Sequence, residues 1–270
     1  MENTTTFNVS VILPIKSAKT VDFVDFFDRA IKSLATQKVG INELIIVHTD
    51  ETQLVDYLDN FDFENLNVVR HTWTDEANYS SQVNFGVEQA TSEWVTLFEF
   101  DDEYANIWFK NVQTYVNAYS DVEVFLPIVV DVDETDVFAG YTNEATFAAS
   151  FNTEIGILTN ELLNQYQNFQ TSGMVVKKSI LDNFGGFKKS MKLTFVYEFL
   201  LRLTYNSARI MTIPRLGYKH ANMRESSIFW GYKNGKNVLT DNEVKFWIDT
   251  AKKEYFFTND RDIKYEETTN

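Results

Sequence analysis

The sequence predicts an α/β fold, a mostly parallel sheet flanked by helices, and three observations predict it. Short apolar runs of strand length recur along the first half of the chain, helical periodicity fills the gaps between them, and an acidic cluster closes the fourth run. A continuous apolar run is what a strand buried on both faces looks like, and double burial belongs to parallel sheets covered by helices.

The elements follow in order. VSVILPI (Val9–Ile15) is the first buried strand. Val24, Phe27, Ile31 and Leu34, spaced by threes and fours, predict a helix after it, with Thr20 and Asp22 as capping candidates. ELIIVHT (Glu43–Thr49) is a second strand, QLVDYLDNF a short helix and LNVVRHT (66–72) a third strand. Tyr79, Val83, Val87 and Ala90 mark another helix before EWVTLFEF, the fourth strand. Strand and helix alternating at this cadence give a Rossmann-like layout.

Composition narrows the function. The 270 residues, 44% hydrophobic, suffice for one large core. No apolar run reaches membrane-spanning length and the opening MENTTTFN is polar and acidic, so the sequence reads as a soluble, cytoplasmic protein with no secretory signal and no membrane partner. The absence of cysteine removes disulfides, thiolate metal sites and cysteine nucleophiles together. A formal charge of −15 repels phosphate backbones and excludes sequence-independent nucleic-acid binding, although Lys177, Lys178, Lys188, Lys189 and Lys192 cluster in sequence.

FEFDDEY (98–104) then has an address. Ligands of open α/β sheets bind at the carboxyl ends of the strands, where this stretch gathers Glu99, Asp101 and Asp102. Two readings stand side by side: a solvated turn that caps the next helix, or a hard-cation site in which carboxylates and substrate phosphates share a Mg²⁺ or Mn²⁺.

The ordered set of segments resembles the family 2 glycosyltransferases of the GT-A fold. VSVILPIKS stands where such enzymes read roughly VSVIIPTYN, SLATQ (33–37) where they carry SxxxQ, and ELIIVHTDE where they read EIIVVDDGS. QVNFGVEQATSEWVTLFEFDD matches their Asn-and-Gly helix and DxDD strand end at Asn84, Gly86, Ala90, Asp101 and Asp102. SGMVVKKSILDNFGGF (172–187) and FLLRL (199–203) resemble their later strand, GGF turn and LxLR helix. The resemblance spans about residues 7 to 230 and divides the chain into a GT-A-like domain (1–230) and a helical C-terminal extension (231–270). It implies inverting transfer of a sugar from a nucleotide-diphosphate sugar, a UDP-sugar first among them, to a glycan or other hydroxyl acceptor. Mn²⁺ or Mg²⁺ would be held by Asp101, Glu99, Asp102 and His220, with Pro14, Ile15, His48, Asp50, Asn84 and Asp101 on the nucleotide and Arg202 and Arg224 on phosphate or acceptor.

The departures carry their own expectations. His48 replaces the usual base-binding Asp, with Asp50 two residues on, which predicts weak discrimination among bases or a preference other than uracil. Ile15, Lys16 and Ser17 replace TYN, removing an aromatic ring. The acidic pair that supplies the catalytic base falls on Phe195 and Val196, leaving Glu198 as the nearest carboxylate. Glu198 is then either the general base or half of an exposed ion pair with Arg202, and Asp131, Asp133 and Glu154 are the next candidates. VVDVDETD (129–136) reads as a charged loop, residues 131–168 as an acceptor-side flap, and Val244, Trp247, Ile248, Ala251 and Tyr255 as an amphipathic helix. The competing functions are a degenerate glycosyltransferase fold kept as a binding or structural module and an unrelated acidic protein that binds Ca²⁺ without catalysis.

Overall fold

The computed structural model describes residues 7–20, 22–76, 78–133, 135–149, 154–222, 224, 227–234 and 238–266. The opening residues 1–6, Glu134 of the second acidic run, and residues 150–153 and 235–237 of the flap and extension lie outside the described residues.

The amino-terminal half alternates as its periodicity predicts: β1 (Val9–Ile15), α1 (Phe23–Ala35), β2 (Glu43–Thr49), α2 (Thr52–Asn60), β3 (Val68–Trp73), α3 (Tyr79–Gln89) and β4 (Trp94–Leu97). β1 is buried along its whole length and β2 along all but its last residue, which is the reason both are predominantly apolar. In α1 the inward stripe is Phe23, Phe27, Ala30, Ile31 and Leu34, whereas Val24 faces solvent, one position off the stripe expected from sequence. Asp22 takes the N-cap position, but in the left-handed region and with no side-chain cap bond. Asn78 does cap α3, accepting the Ser81 N–H through its side chain at 3.0 Å.

Beyond β4 the chain forms β5 (Glu103–Tyr104), α4 (Trp108–Ala118), β6 (Val124–Val132), β7 (Phe138–Thr142), β8 (Ile157–Leu158), α5 (Asn160–Gln165), β9 (Val175–Lys177), α6 (Lys178–Phe184), α7 (Phe195–Tyr205), β10 (Ile210–Ala221), α8 (Ile228–Asn234) and α9 (Asp241–Glu254). The described strands make one sheet in the order β3-β2-β1-β4-β9-β6-β10-β5, with β7 beside β6 and β8 beside β10. β3, β2, β1 and β4 run parallel, as do β6 and β10, and the short β9 lies antiparallel between β4 and β6. The run expected as a charged loop belongs to β6 as far as Val132; Asp131 is buried there because Thr142 donates to its Oδ2 at 2.9 Å and Gln170 to its Oδ1 at 3.2 Å.

Both faces of the sheet are covered. α1, α2 and α4 pack Phe27, Leu54, Trp108 and Phe109 on one side. α3, α5, α6, α7 and α9 pack on the other, and α9 contributes Trp247 and Ala251 to that same core. α3 lies close on the sheet at Gly86, where a Cβ would come within 2.5 Å of Ile12 Cγ2.

The GGF turn and the extension share one buried polar cluster. Arg202 binds Glu198 through two nitrogens, at 2.9 and 3.1 Å, and donates its remaining N–H groups to the carbonyls of Phe184, Gly185 (2.8 Å) and Gly186 (2.7 Å). Lys188 approaches Glu198 at 3.0 Å and donates to the Glu254 carbonyl at 2.7 Å. Glu198 and Arg202 are fully buried, so the exposed i to i+4 pair expected from sequence is corrected to an interior ion triad. Removing one partner of a buried pair strands the other charges and costs about 3–5 kcal/mol. Glu198→Gln is therefore expected to lower unfolding free energy by about 3–5 kcal/mol in denaturant titration; a loss below about 0.5 kcal/mol, the scale of an exposed pair, would contradict this arrangement.

Candidate active site

The acidic cluster lies between β4 and β5, at the carboxyl end of the parallel strands. Aromatic residues set its course. The Glu99 N–H donates to Tyr218 Oη at 3.2 Å, and Tyr104 Oη donates to the Leu97 carbonyl at 2.9 Å, so the loop wraps around two buried rings. β10 returns beside it and brings His220. Asp102, 1% exposed, accepts the Ala221 N–H at 2.8 Å and faces His220 Nδ1 at 3.1 Å. One donor atom each from Glu99, Asp102 and His220 lies within 4.8 Å of the others, the kind of mixed carboxylate and imidazole set that holds a divalent cation.

Asp101 turns elsewhere. Its Oδ2 lies 3.7 Å from Arg224 Nη1, and the Arg224 guanidinium stacks 3.6 Å above the Phe26 ring. Arg224 is buried, with Nε and Nη2 lacking hydrogen-bond partners among the described residues. Burial and then Asp102 push Glu99 up to about 8, and the same two causes push Asp101 up to about 7 against the opposing pull of Arg224. Burial alone would lower His220, but Asp102, through charge and hydrogen bond, raises it to about 10. The cluster holds more negative charge than its cations neutralise, which is the condition a metal ion relieves.

A cavity of about 460 Å³ opens over this cluster. Pro14 and Lys16 line it from the end of β1, Tyr79 and Gln82 from α3, Glu99 and Asp101 from the acidic loop, and His220 from β10, with Ile228 and Tyr232 of α8 above. A smaller lobe of about 80 Å³ shares Tyr79, Glu99 and His220 and continues to Gln170, Phe195, Val196 and Phe229. Val196, where the resemblance expects a carboxylate, thus stands on the wall of this lobe, and Phe195 stacks on Phe229 at 6.0 Å.

The remaining expected residues do not line either lobe. Ile15 is fully buried in β1, His48 donates from Nδ1 to the Thr49 carbonyl at 2.8 Å, and Asp50 is exposed. Asn84 spends both ends of its amide on the GGF turn: Nδ2 donates to the Phe187 carbonyl at 2.7 Å and Oδ1 accepts the Phe187 N–H at 2.9 Å. Glu198 and Arg202 are occupied in the interior triad, Asp133 closes its own turn by accepting from Thr135 and Val137, and Glu154 pairs with Arg209 on the surface. Sequence reasoning missed Lys16, Tyr79 and Gln82 as cavity residues. Gln82 carried one signal, a polar residue one turn before Gly86 on the face of α3 that meets the sheet.

This sheet order, with acidic residues ending β4 and a histidine returning beside them, is that of a GT-A-like glycosyltransferase fold. The chain belongs to glycosyl transferase family 2, whose family model matches residues 10–185. Solved structures agree on the fold: S. aureus TarS 1–349 in complex with UDP-GlcNAc superposes with a TM-score of 0.61 at 18% identity, covering 83% of this chain and 61% of that one. The same TarS fragment in complex with UDP gives 0.57 at 19% identity over 80% and 60%. A further structure of S. aureus TarS gives 0.57 at 19% identity over 80% of this chain and 37% of that one, so the chain spans about three-fifths or less of the length of these structures. No curated protein matches the chain.

The charge imbalance predicts a pH dependence. Glu99 and Asp101 have folded pKa values above the unfolded carboxylate range, so their contribution is full below about pH 4 and is lost as pH rises through 7 to 8. Protonated His220 contributes fully below its unfolded value of about 6.5, and that contribution is lost as pH rises through 10. All three act in one direction. Melting temperature in chelator is expected to fall from about pH 5 to about pH 9, with Asp101→Asn flattening the profile; a profile unchanged by the substitution would remove Asp101 from this imbalance.

Proposed function

We propose that the chain transfers a sugar, with inversion, from a UDP-sugar to a hydroxyl acceptor, with a divalent cation held by Glu99, Asp102 and His220. The observation that carries this reading is the convergence of those three donors in an over-acidic cluster that meets the cavity through Glu99 and His220, with Asp102 buried behind them. TarS, which shares the fold, has been solved with UDP and with UDP-GlcNAc, and this supports the choice of donor class. One nitrogen and two carboxylate ligands suit Mn²⁺ better than Mg²⁺, which prefers oxygen alone. Bound there, the cation would supply charge neutralisation for the leaving diphosphate. Arg224, whose Nε has no hydrogen-bond partner among the described residues and whose Nη2 lies 3.9 Å from Asp136, adds a second positive charge beside Asp101 that suits a phosphate oxygen. His220 must release its proton to bind metal, so cation affinity rises with pH.

The small lobe beside Glu99 and His220 is the acceptor side in this reading. Its wall favours a second reading as well: Val196 offers no proton acceptor there and Glu198 is sequestered, as in a fold that retains donor binding after losing its base. A general base contributes roughly a hundredfold to ten-thousandfold. Transfer and hydrolysis of UDP-GlcNAc therefore separate the two. An active enzyme turns the donor over as isolated; a relic binds it without turnover, and Val196→Glu, by restoring a carboxylate to the wall, is expected to raise hydrolysis.

Donor and cation binding are tested together by thermal shift. UDP at a hundred times its dissociation constant is expected to add about 2.7 kcal/mol of stability with Mn²⁺ present and far less without it. Asp102→Asn is expected to abolish the difference. If it left the Mn²⁺-dependent shift intact, the cation assignment would be wrong.

A further inference from the structure

Gln82 sits on α3 where β1 and β2 end, one of the few polar side chains on the face that α3 turns to the sheet. It is 2% exposed, yet it lines the large cavity. Its Nε2 donates to the Ile15 carbonyl at 3.3 Å and to the Val47 carbonyl at 3.2 Å. Two carbonyls can be met only by the NH₂ end of an amide, so the orientation of the side chain is settled by chemistry. Oε1 meets no donor among the described residues and is left as an open acceptor at the cavity wall, held rigid by the two strands.

We propose that Gln82 is the base-reading residue of this chain and that it selects a pyrimidine carrying an N3–H, that is, uracil. The inference rests on the donor-binding reading above and names the residue that gives it base preference. The expectation of weak discrimination or a preference other than uracil rested on His48 and Asp50 meeting the base, but His48 is turned to its own backbone and Asp50 is exposed. The acceptor that those positions do not bring to the cavity is supplied from α3 instead. Uracil donates from N3, whereas cytosine presents a lone pair at N3 that would face the Gln82 oxygen and be repelled. A site built around one buried hydrogen bond rejects an analogue lacking the partner more strongly than an apolar pocket rejects a change of size.

Calorimetric binding with Mn²⁺ present tests this on the ligand as well as on the protein. The intact chain is expected to bind UDP at least tenfold more tightly than CDP and than N3-methyl-UDP. Gln82→Met is expected to bring the three ligands within about twofold of one another, chiefly by weakening UDP. The comparison of UDP with N3-methyl-UDP on the unmodified chain needs no substitution, so the inference stays open to refutation even if the variant fails to fold. Equal binding of UDP, CDP and N3-methyl-UDP would overturn the role of Gln82 while leaving donor binding standing. Failure of all nucleoside diphosphates to bind would overturn the donor reading and this inference with it.

Discussion

The carboxylate of Asp102 ties the acidic loop to the end of β10, 118 residues away in sequence, and the two segments it joins bring Glu99 and His220 to the cavity. One oxygen takes the Ala221 N–H and the other faces His220, so the end of β10 is fixed against the loop that leaves β4. Buried charge of this kind is tolerated only where neighbouring groups answer it. Here His220 answers Asp102, Arg224 answers Asp101, and among the described residues Glu99 has no cation of its own beyond the shared imidazole. The loop is thus shaped by aromatic packing and left electrically incomplete.

Two other buried carboxylates show that incompleteness is a local property. Burial alone would raise Glu43, but the hydroxyls of Ser10 (2.5 Å) and Thr91 (2.7 Å) and the Thr91 N–H hold it below its ordinary value. Glu198 is enclosed by Arg202 and Lys188. Both sites are closed by partners from the chain itself, and neither opens on the cavity. The molecule leaves carboxylates under-compensated where a cavity meets them, and elsewhere it satisfies them.

What the sequence could show divides along the same line. β1, β2 and β4 were legible because burial on two faces favours apolar runs, β3 by its place in the alternation although Arg70 and Thr72 are exposed, and the acidic loop and His220 as charged residues at strand ends. Asn84, Arg202 and Glu198 were visible as residues but not in their positions, because their partners, Phe187 for Asn84, Gly186 for Arg202 and Lys188 for Glu198, are brought to them only by the fold. Asp131 was hidden as part of an acidic run, since only Thr142 and Gln170, brought by later turns, make its burial possible. Gln82 was marked only as a polar residue one turn before Gly86, and nothing local shows that two strand carbonyls will claim its amide nitrogen.

The buried triad also fixes an order of events during synthesis. The GGF turn is braced by Arg202 from below and, through Lys188, by the carbonyl of Glu254, while Gly185 lies against the backbone of Thr258, where a Cβ would come within 2.8 Å of its carbonyl oxygen. The turn that grips Asn84 on α3 therefore waits for residues made some seventy positions later. Without the segment that carries Trp247 and Glu254, the ammonium of Lys188 and the apolar flank that receives Trp247 are open to water and to other chains. A chain that carries its strands but not yet the segment with Trp247 and Glu254 leaves one face of the sheet unsealed, a surface that a holding chaperone could bind.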